Sequence, residues 1–182
     1  MQAAPEPSEV GRANVQRVEQ QIRDNMQKAF WDKVERDAGQ RPLAEPTIQW
    51  LADLYTDLRS RIGALTPKRA DLQHELAQAL DTDALQETLR HARVPTEKLE
   101  QMVRYVYGKL LGLCAASQDR TVRVKQAGLL GMLELSEPDL GVFTATFLRE
   151  THAILDTIEA LLAKFREDVR TMPGVRSCSS SS

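Results

Sequence analysis

Apolar residues recur every third or fourth position along almost the whole chain, a spacing that restricts it to helices each burying one face. The first stripe is Val15, Val18, Ile22, Met26, Phe30 and Val34, all expected to face inward, and it stops at Gly39 and Pro42. A second helix is expected over about 47–64, with Ile48, Leu51, Leu54 or Tyr55, Leu58 and Ile62 turned inward. Thr66 and Pro67 then read as the opening of a third helix carrying Leu72, Leu76 and Leu80, because Thr can accept a bond from an orphan amide and Pro has no amide to leave unpaired. Asp81 or Asp83 caps a short fourth helix with Leu85 and Leu89. The most apolar helix opens at Pro95 and Thr96 and presents Leu99, Met102, Val103, Val106, Leu110, Leu113 and Cys114 on one face, which makes it central. Gly108 and Gly112 lie one turn apart within it, and since each costs about 1 kcal/mol relative to Ala, a close approach by another helix is expected there. Asp119 is expected to cap a helix through Leu135. After Ser136 and Pro138 a last helix runs to about Thr171, a rod of roughly 50 Å that is longer than a small domain needs, so that part of it overhangs.

Composition agrees with helix: Leu and Ala supply 43 residues against 17 for Val and Ile, and aromatics make up only 5%. The expected fold class is therefore all-α, a single irregular bundle of about seven helices with a long C-terminal helix. Its domain would span 13–172, between a flexible arm over 1–12 and a flexible Ser-rich tail over 173–182. The 24 basic and 26 acidic residues leave a net charge of −2, which argues against general binding to nucleic acid or membrane surfaces. No apolar run approaches the ~20 residues of a membrane span, and the first ten residues lack the basic and apolar segments of a secretory signal, so a cytoplasmic location is expected. Cys114 sits in an apolar run and Cys178 in the serine tail, a pair that fits a reducing compartment better than a bridge.

The common signatures of catalysis are absent from the sequence: it has no glycine-rich phosphate cradle, no paired metal ligands, and no Ser or Cys nucleophile with a His base. His74, His91 and His152 read as surface or boundary side chains, and Cys114 reads as core. No cofactor, metal or catalytic residue is assigned, and the partners expected are other proteins. Two regions are candidates to bind them. Arg59, Arg61, Lys68 and Arg69 surround the turn between the second and third helices and could face an acidic surface such as a tubulin tail. On the last helix, Leu155, Leu162 and Val169 are spaced by seven and join the stripe of Ile158, Leu161 and Phe165, wide enough to accept another helix.

Three segments carry a family resemblance. Ala29-Phe30-Trp31-Asp32-Lys33, then Leu80-Asp81-Thr82-Asp83-Ala84-Leu85, then Leu113-Cys114-Ala115-Ala116 followed by Asp119-Arg120, resemble the t-complex protein 11 family in order and separation, from about Phe30 to Arg149. The chain departs from the family at Ala116, Ser117 and Gln118, where Pro and a basic residue usually stand. Members continue into a further helical half, so the chain resembles a short member or the N-terminal half. The resemblance implies an all-helical protein without known catalytic residues, associated in animals with male germ cells and the sperm flagellum. From it follow two expectations: a structural scaffold docked on axonemal, microtubule-associated partners of the cilium or flagellum, or a soluble regulator of cAMP-dependent protein kinase signalling. The matched residues Phe30, Trp31, Leu85, Leu113 and Cys114 read as core.

Overall fold

A computed structural model describes residues 9–91 and 96–171. These residues form seven α-helices and one short 3-10 turn, with no strand among them, which is the all-α class expected. The helices are α1 (Glu9–Ala38), α2 (Glu45–Ala64), α3 (Ala70–Ala79), α4 (Thr82–His91), α5 (Thr96–Leu113), α6 (Asp119–Leu133) and α7 (Leu140–Thr171). Helix α7 is the spine. Its register against α1 is antiparallel, since Glu35 pairs with Arg149 at 2.7 Å, Trp31 lies 5.8 Å from the His152 ring, and Gln27 reaches Asp156 at 3.0 Å. Helix α2 runs parallel to α7, with Leu54 beside His152 and Arg61 beside Asp156. Tyr107, Phe143, Phe147, Leu51, Leu58, Leu110, Leu148 and Leu155 are the large side chains sealed at the centre.

Local chemistry accounts for several helix boundaries. Asp139 Oδ1 accepts the Val142 amide at 2.9 Å and starts α7, and Asp81 Oδ1 accepts the Ala84 amide at 3.1 Å and starts α4. Thr66 and Pro67, by contrast, do not open α3. The Thr66 amide donates to Gly63 and so closes α2, and α3 begins at Ala70. Asp119 is already inside α6, where its carboxylate accepts the Cys114 thiol at 3.5 Å instead of a helix amide, and α6 ends at Leu133, leaving Leu135 exposed.

The largest departure concerns α1. Val15, Val18, Ile22 and Met26 are 51–68% exposed and belong to no core, and of the expected stripe only Val34 is fully buried. Helix α1 instead turns Gln27, Trp31, Val34 and Ala38 toward the bundle, a face about 140° around the helix from the Val15–Met26 stripe at 100° per residue. Residues 9–12, expected within the arm, are helical; residues 1–8 and 172–182, with Cys178, lie outside the described residues.

The glycines divide differently from expectation too. No atom would meet a Cβ at Gly108 or Gly112 within 4 Å; they floor an open cleft of about 280 Å³ beside Leu72 and Leu76. The close approach occurs at Gly141, where a Cβ would run into the Ala38 carbonyl oxygen as α1 ends against the first turn of α7. Gly141→Ala is therefore expected to destabilise the fold by roughly 1–3 kcal/mol through overpacking, whereas Gly108→Ala should stabilise it by up to about 1 kcal/mol through helix propensity. Urea unfolding followed by helical circular dichroism gives both signs; equal effects at the two positions would contradict this assignment.

Candidate docking site at the projecting helix ends

Because α1 and α7 are antiparallel, the start of one and the end of the other leave the bundle in the same direction. The core of α7 ends at Ile158, 3% exposed, and α1 joins the core only from Trp31. Beyond these points α1 projects by roughly 33 Å and α7 by roughly 20 Å at 1.5 Å per residue.

On α7 the projecting part continues the buried face. Thr151, Ile154, Leu155 and Ile158 are buried, and Leu161, Leu162, Phe165 and Val169 follow at the same helical spacing. Leu161 is 41%, Leu162 37% and Phe165 64% exposed, and Val169 is half-buried. Leu155 is fully buried and so belongs to the core, not to an accessible docking stripe. The reason is positional: α6 begins beside Ile154 and Ile158, so no helix remains to cover the stripe farther out.

The basic cluster is broken up by pairing. At the base of the projecting ends Arg61 donates to Asp156 at 2.6 Å, to Glu159 at 3.0 Å and to His152 Nδ1 at 2.8 Å. Arg59 donates to the Leu80 carbonyl at 3.4 Å, and Arg69 is bidentate on Asp71, which holds that carboxyl down to about 2. Lys68 is exposed without a partner among the described residues. Three of these four cations, Arg59, Arg61 and Arg69, are thus held by partners within the chain.

His152 is the site residue that the sequence reading placed wrongly. It is 6% exposed, against the expected surface or boundary position; its spacing of four from Leu148 and three from Leu155 is the signal for an inward placement. Since Nδ1 faces the Arg61 guanidinium, it must accept, and Nε2–H donates to the Leu54 carbonyl at 3.3 Å, which defines one neutral tautomer. Burial is the main cause lowering its pKa, reinforced by Arg61 and opposed by the bond to Leu54, with Asp57 at 4.0 Å and Asp156 also favouring the charged form.

Two further clefts lie among the described residues. A cleft of about 500 Å³ is lined by Tyr55, Asp81, Leu85, Lys98, Met102 and Tyr105. Burial raises the Tyr55 phenol, which donates to the Met102 sulfur at 2.8 Å, and burial with the Glu75 bond pushes Tyr105 up to about 12. Both shifts run opposite to those that activate a nucleophile. The Cys114 thiol is likewise pushed up, by burial and then by Asp119, and it is half-buried rather than sealed in the core. Among the described residues no group of three or more His, Cys, Asp or Glu could hold a metal ion, and no helix is long and apolar enough to cross a membrane. Of the other matched residues, Trp31 and Leu85 are buried, Leu113 packs half-buried against the core, and Phe30 is 37% exposed with its ring edge-on to Trp50 at 5.4 Å.

The family model described as T-complex protein 11 matches residues 9–164. The human T-complex protein 11 homolog is 23% identical over 168 residues, covering 87% of this chain and 32% of the relative. The human T-complex protein 11-like X-linked proteins 1 and 2 are each 24% identical with the same coverage. The chain thus spans about a third of the length of the curated relatives it matches. No solved structure matches it significantly.

The His152 environment makes a pH prediction. Above about pH 7 the imidazole is neutral folded and unfolded; below its unfolded value of about 6.5 the unfolded chain takes up the proton first. Stability should therefore fall as pH drops from 7 toward 5.5. His152→Gln, which can still accept from Arg61 and donate to Leu54, should flatten that slope. Urea midpoints at pH 7.0, 6.2 and 5.5 measure it, and equal slopes in the two proteins would contradict the assignment.

Proposed function

The chain belongs to the T-complex protein 11 family, and from that premise we propose that it is a non-enzymatic docking block of the cilium or flagellum, engaging axonemal, microtubule-associated proteins. The observation that supports this reading is the distal stripe of α7, where Leu161, Leu162 and Phe165 extend the core-facing side of the helix past the end of the bundle. An apolar stripe at helical spacing accepts an amphipathic helix of a partner, and the rigid bundle below fixes its direction. The flagellar setting rests on the family resemblance.

Phe165→Asp tests the stripe. The side chain is 64% exposed, so the charge should leave helicity and unfolding midpoint unchanged while lowering recovery on salt-washed axonemes by at least about tenfold. Unchanged recovery, or recovery of the wild-type chain only in the soluble membrane-plus-matrix fraction, would contradict the proposal. Enrichment of cAMP-dependent kinase subunits in place of axonemal proteins would transfer the same stripe to the signalling reading. Loss of helicity would show that Phe165 belongs to the core.

A further inference from the structure

The second bare surface, on α1, is separate from the α7 stripe. Helix α1 faces α7 through Gln27, Trp31 and Glu35, and α7 faces α1 through Arg149, His152 and Asp156. At 100° per residue the Val15–Met26 stripe lies about 175° from the first of these faces, and the Leu161–Val169 stripe about 160° from the second. The two stripes therefore point away from each other.

We propose that the α1 stripe binds a second copy of this chain, the projecting ends pairing antiparallel about a two-fold axis between Val18 and Ile22. Size supports the occupant. Along the stripe the small Val15 and Val18 come first and the larger Ile22 and Met26 follow, so antiparallel pairing sets Val15 against Met26 and Val18 against Ile22 of the second copy. A two-fold contact has to be self-complementary in this sense, and parallel pairing would oppose like with like. Charge supports the same arrangement. Glu19 and Arg23 lie on one flank of the stripe and have no partner among the described residues. In the antiparallel register Glu19 meets Arg23 of the second copy, twice by symmetry, while the other flank carries only the uncharged Asn14, Gln21 and Asn25. The projection of α1 away from the bundle keeps the two bundles at opposite ends of the paired helices, whereas parallel pairing would bring them side by side. Four side chains per copy, each already about half covered, are fewer than the ~800 Å² per partner of a standard interface needs, which sets a concentration-dependent dimer with a dissociation constant of roughly 10–100 μM.

Sedimentation equilibrium of the full chain from about 1 to 500 μM reads the association directly, with the mass expected to rise from 20.4 kDa toward twice that value. Ile22→Asp, at a position 53% exposed, should weaken the dimer at least about tenfold with helicity unchanged. Glu19→Arg should weaken it about threefold by opposing Arg23, and the double variant Glu19→Arg, Arg23→Glu should restore the wild-type constant. A chain that stays monomeric throughout, a dimer indifferent to Ile22→Asp, or a double variant without rescue each overturns the proposal. So does a dimer lost in Phe165→Asp but retained in Ile22→Asp. Only that last result bears on docking through α7, since it would place self-association on the α7 stripe; the others concern a different surface.

Discussion

Between Leu140 and Ile158 helix α7 packs against α1, α2 and α6 at once, and its Phe143, Phe147, Leu148 and Leu155 are almost free of solvent. Each such side chain contributes roughly 1.5–3 kcal/mol when fully buried. Exposed ion pairs such as Lys28 with Asp32 contribute about 0–1 kcal/mol and cannot substitute for it. The other helices are placed by what they must cover on α7. Helix α1 approaches so closely at its end that Gly141 has no room for a side chain, and α2 lies alongside with Leu51, Leu58 and Ile62 inward.

A helix buried this deeply has to satisfy its polar groups internally. Thr144 and Thr151 return their hydroxyls to the Leu140 and Phe147 carbonyls at 2.7 and 2.6 Å, and among the described residues no buried side-chain nitrogen or oxygen lacks a partner. His152 is satisfied on both ring nitrogens, by Arg61 from α2 and by the Leu54 carbonyl. The same Arg61 ties Asp156 and Glu159, so the last polar knot of the bundle sits where α7 leaves it. Beyond this base the two exposed stripes of α1 and α7 point in opposite directions.

Much of this was legible beforehand. The inward residues of α2, the Asp81 cap of α4 and the buried face of α5 follow from spacing and capping chemistry alone. So does the overhang of α7, because about 30 residues of continuous helix exceed the width of the bundle. Other features were misread where two partners could compete for one group. Thr66 gave its amide to Gly63 and closed a helix instead of opening one. Arg61 and Arg69 look like a basic surface until Asp156, Glu159 and Asp71 are seen to occupy them.

Helical periodicity is a local property of the chain: it follows from residue order, and it specifies which side of each helix is able to be buried. The sequence therefore determined the all-α class, the approximate helix boundaries and the apolar stripes of α1 and α7. Whether a stripe finds a surface to cover it depends on where other helices end and how they cross, and that is settled only when all of them pack on α7. For this reason Leu155 lies in the core while Phe165, ten residues on, does not, and Val15, Val18, Ile22 and Met26 stand in solvent while Val34, on the face of α1 turned toward the bundle, is sealed.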